Sequence, residues 1–418
     1  MSDKLICGVD IGSSKIATVV GIQPADSTEL KIIGFNTTNS RGVKKGLIVD
    51  IGEVTAAVEE SIEKAERMAG HKLNSAYVSV GGPHIASLNS HGIVAVANPQ
   101  GEIVEDDVAR VIDAASAISL SSTRQVIEVS PRDYIVDGQS GIRNAVGMSG
   151  VRLEVETHII TASHTNLKNI DRVLNDLGII NQGFVFAGLA SAEAVLSNTE
   201  KELGVVLIDI GGGKIDICIY VEGALSHSSS IPIGARHITN DIAVGLRVSL
   251  DSAEKIKLML GKVTAKKKPG QSIDLTSLSL PENVNDVSLK SVVDGIIAPR
   301  LEEIYKLIFE EIEKSSFGQS IPSGLVITGG GALTIGMLET GKKVIGLPIR
   351  VGVPDKITGL VDEITDPQFA TTVGLLMYGM NHSPGSENGM KNFNKIWKDF
   401  SLGGSVGKFK NFIKQFIP

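Results

Sequence analysis

The chain has 418 residues, enough for two or more domains that each bury a core. Hydrophobic residues make up 42% and charged residues 21%, a globular composition, and a net charge of −7 argues against a nucleic-acid binder. No apolar run approaches the roughly 20 residues of a spanning helix, and MSDKLICGVD runs straight into a predicted strand, so no signal peptide is expected. Leu5–Asp10 and Ile16–Gly21 read as a hairpin around Gly12, Ser13, Ser14 and Lys15, followed by strands at Lys31–Asn36 and Gly46–Asp50. Glu53–Ala69 is an amphipathic helix with Val54, Val58, Ile62, Ala65 and Ala69 on one face. Tyr77–Val80 returns to strand and Gly81-Gly82-Pro83 breaks it.

From Pro83 to about Thr161 the pattern changes and no glycine loop occurs. Gly92–Ala97 and Val126–Val129 read as strands and Asp106–Ile118 as a helix. Val151–Ile160 alternates as a half-exposed strand does. The segment reads as an inserted α/β module, or as plain continuation of the first domain. Helices follow at Asn166–Leu177 and Ala187–Leu196.

Val205–Tyr220, VVLIDIGGGKIDICIY, organises the chain. A buried run ends at Asp209. Gly211, Gly212 and Gly213 follow, able to take φ > 0 and to bring backbone N–H groups close to a phosphate. A carboxylate at Asp209 suits a hydrated Mg²⁺ on that phosphate. A plain hairpin with a glycine turn is the other reading. The stretch has a duplicate, Val9-Asp10-Ile11-Gly12-Ser13-Ser14-Lys15-Ile16, in which Asp, Ile, Gly, Lys and Ile recur 199 residues earlier. Two copies half a chain apart suggest a duplicated domain whose loops grip one polyphosphate. Cys7 and Cys218 fall in the predicted buried strands and read as reduced thiols of a cytoplasmic protein.

Helix Asp251–Leu260 places Glu254 and Lys257 on one face, as a solvated ion pair would be. Lys262–Pro281, with Lys266-Lys267-Lys268-Pro269-Gly270 at its tip, reads as an exposed loop. Leu301, Ile304, Ile308 and Ile312 stripe a helix at Pro299–Glu313. A third glycine loop, Thr328-Gly329-Gly330-Gly331-Ala332, follows another apolar run, then a loop at Ile364–Phe369 and a closing helix at Thr371–Met380.

The two Asp-Ile-Gly hairpins and the Thr-Gly-Gly-Gly-Ala loop resemble the phosphate and adenosine motifs of the actin, sugar-kinase and chaperone-ATPase superfamily. Ala187–Ala192 and Thr371–Leu375 resemble its two connecting helices. Within that superfamily the chain is most similar, over nearly its whole length and including Ser40-Arg41-Gly42-Val43-Lys44-Lys45-Gly46, to the FtsA family of bacterial cell-division proteins. The resemblance implies an α/β actin-like ATPase fold of two duplicated halves around a nucleotide cleft. Its parts would be a first core subdomain at 1–82, 161–193 and 355–380, an inserted one at 83–160, a second core at 194–227 and 306–354, and a fourth at 228–305. It implies ATP and Mg²⁺ as cofactors, with Asp10 and Asp209 holding the metal mainly through water. Gly12, Ser13, Ser14 and Lys15 would meet the phosphates from one side and Gly211, Gly212, Gly213 and Lys214 from the other. Gly329, Gly330, Gly331 and Ala332 would admit the adenosine, and Glu254 and Lys257 would contact ribose and adenine. No catalytic residue is assigned.

Asn381–Met390 reads as a linker reaching about 17 Å. Side chains of 391–418 sum to +5, leaving −12 on residues 1–390. Val406, Phe409, Phe412, Ile413, Phe416 and Ile417 share one helical face, with Lys408, Lys410 and Lys414 at its rim or beyond. That pattern predicts an amphipathic helix lying on an anionic membrane surface. Phe393, Ile396, Trp397 and Phe400 repeat the theme as a second contact, and packing on the protein itself is the other reading.

Three functions follow. One is an FtsA-like anchor on the cytoplasmic face of the inner membrane at the division site, which polymerises, binds FtsZ and recruits later division proteins. Another is a small-molecule kinase, for which Glu193 on the connecting helix is the one candidate base near the cleft, a surface or core-edge role being the other reading. The third is an actin-like pilus or secretion scaffold. The tail favours the first, and weak or absent ATPase activity is expected.

Overall fold

The computed structural model describes residues 3–24, 29–262, 272–282, 284, 286–360 and 364–382. β1 (Lys4–Ile11) and β2 (Lys15–Gln23) form an antiparallel hairpin, and β3 (Leu30–Asn39) pairs with β2. A short ladder of β4 (Val43–Lys44) with β5 (Leu47–Ile48) leads into α1 (Ile51–Ala69). Asp50 starts that helix by accepting from the Glu53 N–H at 3.0 Å, and Gly70 ends it in the left-handed region. Val54, Val58, Ile62 and Ala65 face the core as their spacing predicts. β6 (Ser75–Val80) runs parallel to β1.

The next stretch builds its own sheet, in the order β7-β10-β8-β9, from β7 (Ala86–Ala95), β8 (Arg124–Val136), β9 (Gln139–Ile142) and β10 (Arg152–Ser163). With α2 (Glu105–Ser116) it encloses a separate core containing Val111, Val129, Leu153 and Val155. The chain then returns through α3 (His164–Asp176), β11 (Ile180–Phe186) and α4 (Ala187–Val195).

The second half repeats the plan. After α5 (Asn198–Leu203) come β12 (Val205–Ile210), β13 (Ile215–Val221), β14 (Ala224–Ile231), α6 (Ala235–Leu246) and α7 (Leu250–Lys262). A small ladder pairs β15 (Ser272–Asp274) with β16 (Asp286–Ser288), followed by α8 (Leu289–Val292) and α9 (Ala298–Lys314). β17 (Leu325–Thr328), α10 (Met337–Ile345) and β18 (Ile349–Val351) complete the sheet. Its order, β14-β13-β12-β17-β18, copies β3-β2-β1-β6-β11 of the first sheet strand for strand. β19 (Ile357–Gly359) extends the first sheet beyond β3, and α11 (Ala370–His382) packs back on it. α4 and α11 cross between the halves at Gly374, where any side chain would strike the Ala190 carbonyl.

The edge strands of the two sheets are covered differently. β19 pairs with β3. The matching edge, β14, is sealed by the insert through side chains. Ser87 Oγ donates to the Ser228 carbonyl at 2.6 Å, Asn89 Nδ2 to the Ser226 carbonyl at 3.3 Å, and Arg132 Nε to Ser226 Oγ at 3.2 Å. His158 is held neutral by burial, which pushes its pKa down to about 3. Its Nδ1–H donates to Asn89 Oδ1 at 2.7 Å, and its Nε2 accepts from Ser228 Oγ at 3.0 Å. β10 is therefore not half-exposed throughout as its alternation predicts. His158–Ala162 are all buried, because β14 and the first sheet's core cover them.

Other boundaries also moved. β7 begins well before Gly92, and β8 runs on to Val136. Part of the predicted exposed loop 262–281 is structured: Ile273, Leu275 and Leu280 are buried under β15 and its neighbours. The Lys266–Gly270 tip lies outside the described residues. Asn381 and His382 belong to α11. The rest of the linker, the contact at Lys391–Phe400 and the helix at 406–417, with every membrane residue named above, also lie outside them. Cys7 and Cys218 are buried and unpaired, as expected, and burial raises both thiols.

Candidate functional site

Both hairpins close in the same register. Asp10 faces Ala17 across the first and Asp209 faces Asp216 across the second. The tips meet. A side chain at Gly212 would fall on Ser14 Oγ, and one at Gly213 would lie 2.9 Å from Ser13 Oγ and 3.1 Å from the Lys45 nitrogen. At Gly12 a Cβ would sit 2.6 Å from the Lys15 carbonyl. The glycines are therefore required by crowding. None of Gly12, Gly211, Gly212 and Gly213 takes positive φ, so the expected left-handed turn is corrected. That conformation occurs nearby instead, at Gly42, Lys45 and Gly46, which fold the Ser40–Gly46 stretch under the tips. Gly46 N–H donates to Ser13 Oγ at 2.9 Å.

The two carboxylates lie at the hairpin bases and are wired differently. Asp10 Oδ1 accepts from Ser79 Oγ at 2.5 Å. Burial, with Asp209 adding to it, pushes the Asp10 carboxyl above the usual range despite that hydrogen bond. Asp209 Oδ2 accepts from Ser191 Oγ at 2.6 Å and from Thr371 Oγ1 at 2.9 Å. Those hydroxyls come from α4 and α11, so this carboxylate touches both crossing helices.

The lysines diverge as well. Lys15 reaches across to Gln368 Oε1 at 3.1 Å and stands 4.0 Å over the Phe369 ring. Burial lowers its pKa to about 8, against the pull of Asp10, Asp366 and Asp209. Lys214, expected to face the phosphates, pairs instead with buried Asp216 of its own hairpin. Burial opposes its charge, but Asp216, Asp209 and Asp10 together hold the ammonium above the ordinary lysine value.

The third loop caps the end of β12. Gly329 is left-handed at φ 80°, and its N–H donates to the Pro367 carbonyl at 3.1 Å. A Cβ at Gly331 would lie 2.7 Å from the Ile210 carbonyl, while Gly330 is exposed and Ala332 buried. Glu254 is 41% exposed in its side chain and Lys257 only 9%. Lys257 Nζ donates to Glu254 Oε2 at 2.8 Å and to Thr239 Oγ1 at 2.9 Å, tying α7 to α6. Only Glu254 of the expected pair presents itself, and Lys257 is an internal tie. Glu193 accepts from Lys201 at 2.6 Å, which removes it as a free base.

Sequence reasoning missed Ser79, Ser191, Thr371, Gln368 and Phe369. A hydroxyl in a small-residue helix carries no spacing signal. Gln368 and Phe369 lie on a segment read only as loop.

Duplicated five-stranded sheets, two crossing helices and paired glycine hairpins define an actin-like fold. Solved structures agree. The PilM–PilN type IV pilus biogenesis complex matches 90% of this chain and 98% of that one with a TM-score of 0.61 at 14% identity. MreB5 of Spiroplasma citri bound to ADP matches 96% and 99% with a TM-score of 0.51 at 15% identity. Sequence narrows the class. Residues 82–161 match the SHS2 domain inserted in FtsA, and residues 206–374 match the cell division protein FtsA family. The FtsA of Pseudomonas aeruginosa is 40% identical over 382 residues, 91% of this chain and 90% of that protein. That of Neisseria meningitidis is 36% identical over 417 residues, 99% and 98%. The chain belongs to the FtsA family of cell-division proteins.

Proposed function

We propose that this FtsA-family protein binds ATP with Mg²⁺ between its hairpins, assembles into filaments on the membrane, and anchors FtsZ there through its C-terminal segment. It then helps recruit the septal machinery at the cytoplasmic face of the inner membrane. The observation that carries the nucleotide reading is the meeting of two duplicated glycine hairpins over Asp10 and Asp209. The Lys15 carbonyl forbids a side chain at Gly12 and one at Gly212 would displace the Ser14 hydroxyl, which leaves backbone N–H groups as the surface a phosphate would meet. Among the described residues no group of three or more His, Cys, Asp or Glu side chains is able to hold a metal alone. Two carboxylates fit instead a Mg²⁺ that keeps its waters and leans on phosphate oxygens. When bound, the metal would neutralise charge between the phosphates.

Gly12, Ser13, Ser14, Lys15, Gly211, Gly212 and Gly213 would hold the phosphates, with Gly330 and Glu254 on the nucleoside side. Turnover is slow or absent, because the one acid considered as a base, Glu193, is engaged by Lys201. The membrane reading rests on the apolar face and lysine rim of 406–417. Its test is liposome flotation with and without the last 15 residues, repeated with FtsZ. Equal flotation of both forms would sink it. Titration of ATP into the full chain, with and without Mg²⁺, tests the cleft, and no heat or fluorescence change would end the nucleotide reading.

A further inference from the structure

We infer that Lys214 is a built-in counter-cation for the cleft carboxylates rather than a phosphate ligand. The inference deepens the nucleotide reading and rests on it for the role of the site. Lys214 belongs to the second glycine hairpin, and its side chain is taken up by Asp216 of that hairpin. It runs through a slot walled by two backbones: a Cβ at Gly46 would lie 3.0 Å from Lys214 Cδ, and one at Gly81 would lie 2.8 Å from its Cε. The slot ends at Asp216, whose side chain is 1% exposed and whose Oδ1 has no hydrogen-bond partner. A cavity of about 10 Å³ adjoins it, lined by Ser79, Gly81 and Lys214, with room for about one water.

Charge explains the arrangement. Asp10, Asp209 and Asp216 bring three carboxylates to one buried region, and Lys214 pairs with Asp216 within electrostatic reach of the other two. Lys15 stands on the cleft side, held by Gln368. Buried carboxylates without a counter-charge are costly. Lys214 supplies that charge permanently, because a side chain does not leave with a ligand. The empty cleft therefore has no need of a divalent ion, and the metal becomes necessary only when a triphosphate adds its own charge. A lysine that met the phosphates directly would do none of this.

The experiment is thermal unfolding of the full nucleotide-free chain in EDTA and in millimolar MgCl₂. The wild type should melt at the same temperature in both. Lys214→Met should melt several degrees lower in EDTA and recover at least half the difference in MgCl₂, while Lys214→Arg should behave as wild type. If Lys214→Met does not fold, Lys214→Met with Asp216→Asn removes the buried pair, and Mg²⁺ should still stabilise it more than wild type. Equal response of wild type and variant to Mg²⁺, or an unchanged melting temperature for Lys214→Met in EDTA, overturns the inference. A parallel ATP titration of the wild type separates the two failures: absent ATP binding ends the nucleotide reading and leaves the Mg²⁺ comparison standing.

Discussion

The two glycine hairpins share a sequence skeleton, a register and a place in matching sheets, yet their working side chains are connected differently. Ser79 and Thr328 hold equivalent positions, each on the strand parallel to the hairpin's first strand. Ser79 donates to Asp10, whereas Thr328 donates to the Gly352 carbonyl at 3.0 Å and leaves Asp209 to Ser191 and Thr371. The second difference is Ala17 against Asp216. Where the cross-strand residue is alanine, Lys15 reaches away to Gln368 and Phe369. Where it is aspartate, Lys214 is drawn onto it. Duplication preserved the backbone, and a few polar substitutions gave each copy its task. The first hairpin sends its lysine to Gln368, and the second ties its carboxylate to both crossing helices.

The largest effect should come from erasing the contact between the hairpins. Gly212→Asp places a carboxylate and a side chain where Ser14 and the phosphates must lie, and should remove measurable ATP binding in a folded protein, a loss of about a hundredfold or more. Calorimetry checks it, and unchanged affinity would dismiss the site. Next is Gly374→Ala, which drives a methyl into the Ala190 carbonyl at the helix crossing. It should cost about 3 kcal/mol in urea unfolding.

The asymmetry itself is tested by hydroxyl removal. Ser191→Ala with Thr371→Val strips Asp209 Oδ2 of both donors and should cost about 3 kcal/mol, against about 1.5 for Ser79→Ala. Equal costs would deny the second hairpin its special link to the helices. The smallest effect concerns Lys15. Its folded pKa is near 8 while the unfolded chain has the ordinary lysine value. The stability gained from the neutral amine is therefore present above the ordinary value and lost as pH falls through 8. Phosphate binding runs the other way, since it needs the charged amine. ATP affinity should fall severalfold from pH 7 to 9 in wild type and stay level in Lys15→Arg. A flat wild-type profile would place Lys15 away from the phosphates.

Much of this was legible beforehand. The repeat of Asp, Gly and Lys at a fixed offset announced the duplicated hairpins, and the stripe of Leu301, Ile304, Ile308 and Ile312 announced α9. The direction of Lys214 was less visible, although Lys214 and Asp216 are two apart and two apart in a strand is one face. The partners of Asp209 lay inside the two connecting-helix motifs, but their contact with it was not visible. Ser191 and Thr371 lie 180 residues from each other and meet only because α4 and α11 cross. His158 was equally hidden, since its burial depends on alternate serines of a strand 70 residues later.

The packing of α11 on β1 sets a clock on synthesis. A Cβ at Gly8 would lie 2.8 Å from Leu375 Cβ and 3.0 Å from the Thr372 carbonyl, so the first strand is finished only by the last described helix. At about 5–20 residues per second a ribosome takes tens of seconds to travel between them. Through that interval β1 lacks the cover that α11 gives it. A chain stopped before residue 370 should therefore leave β1 without the helix that packs on it.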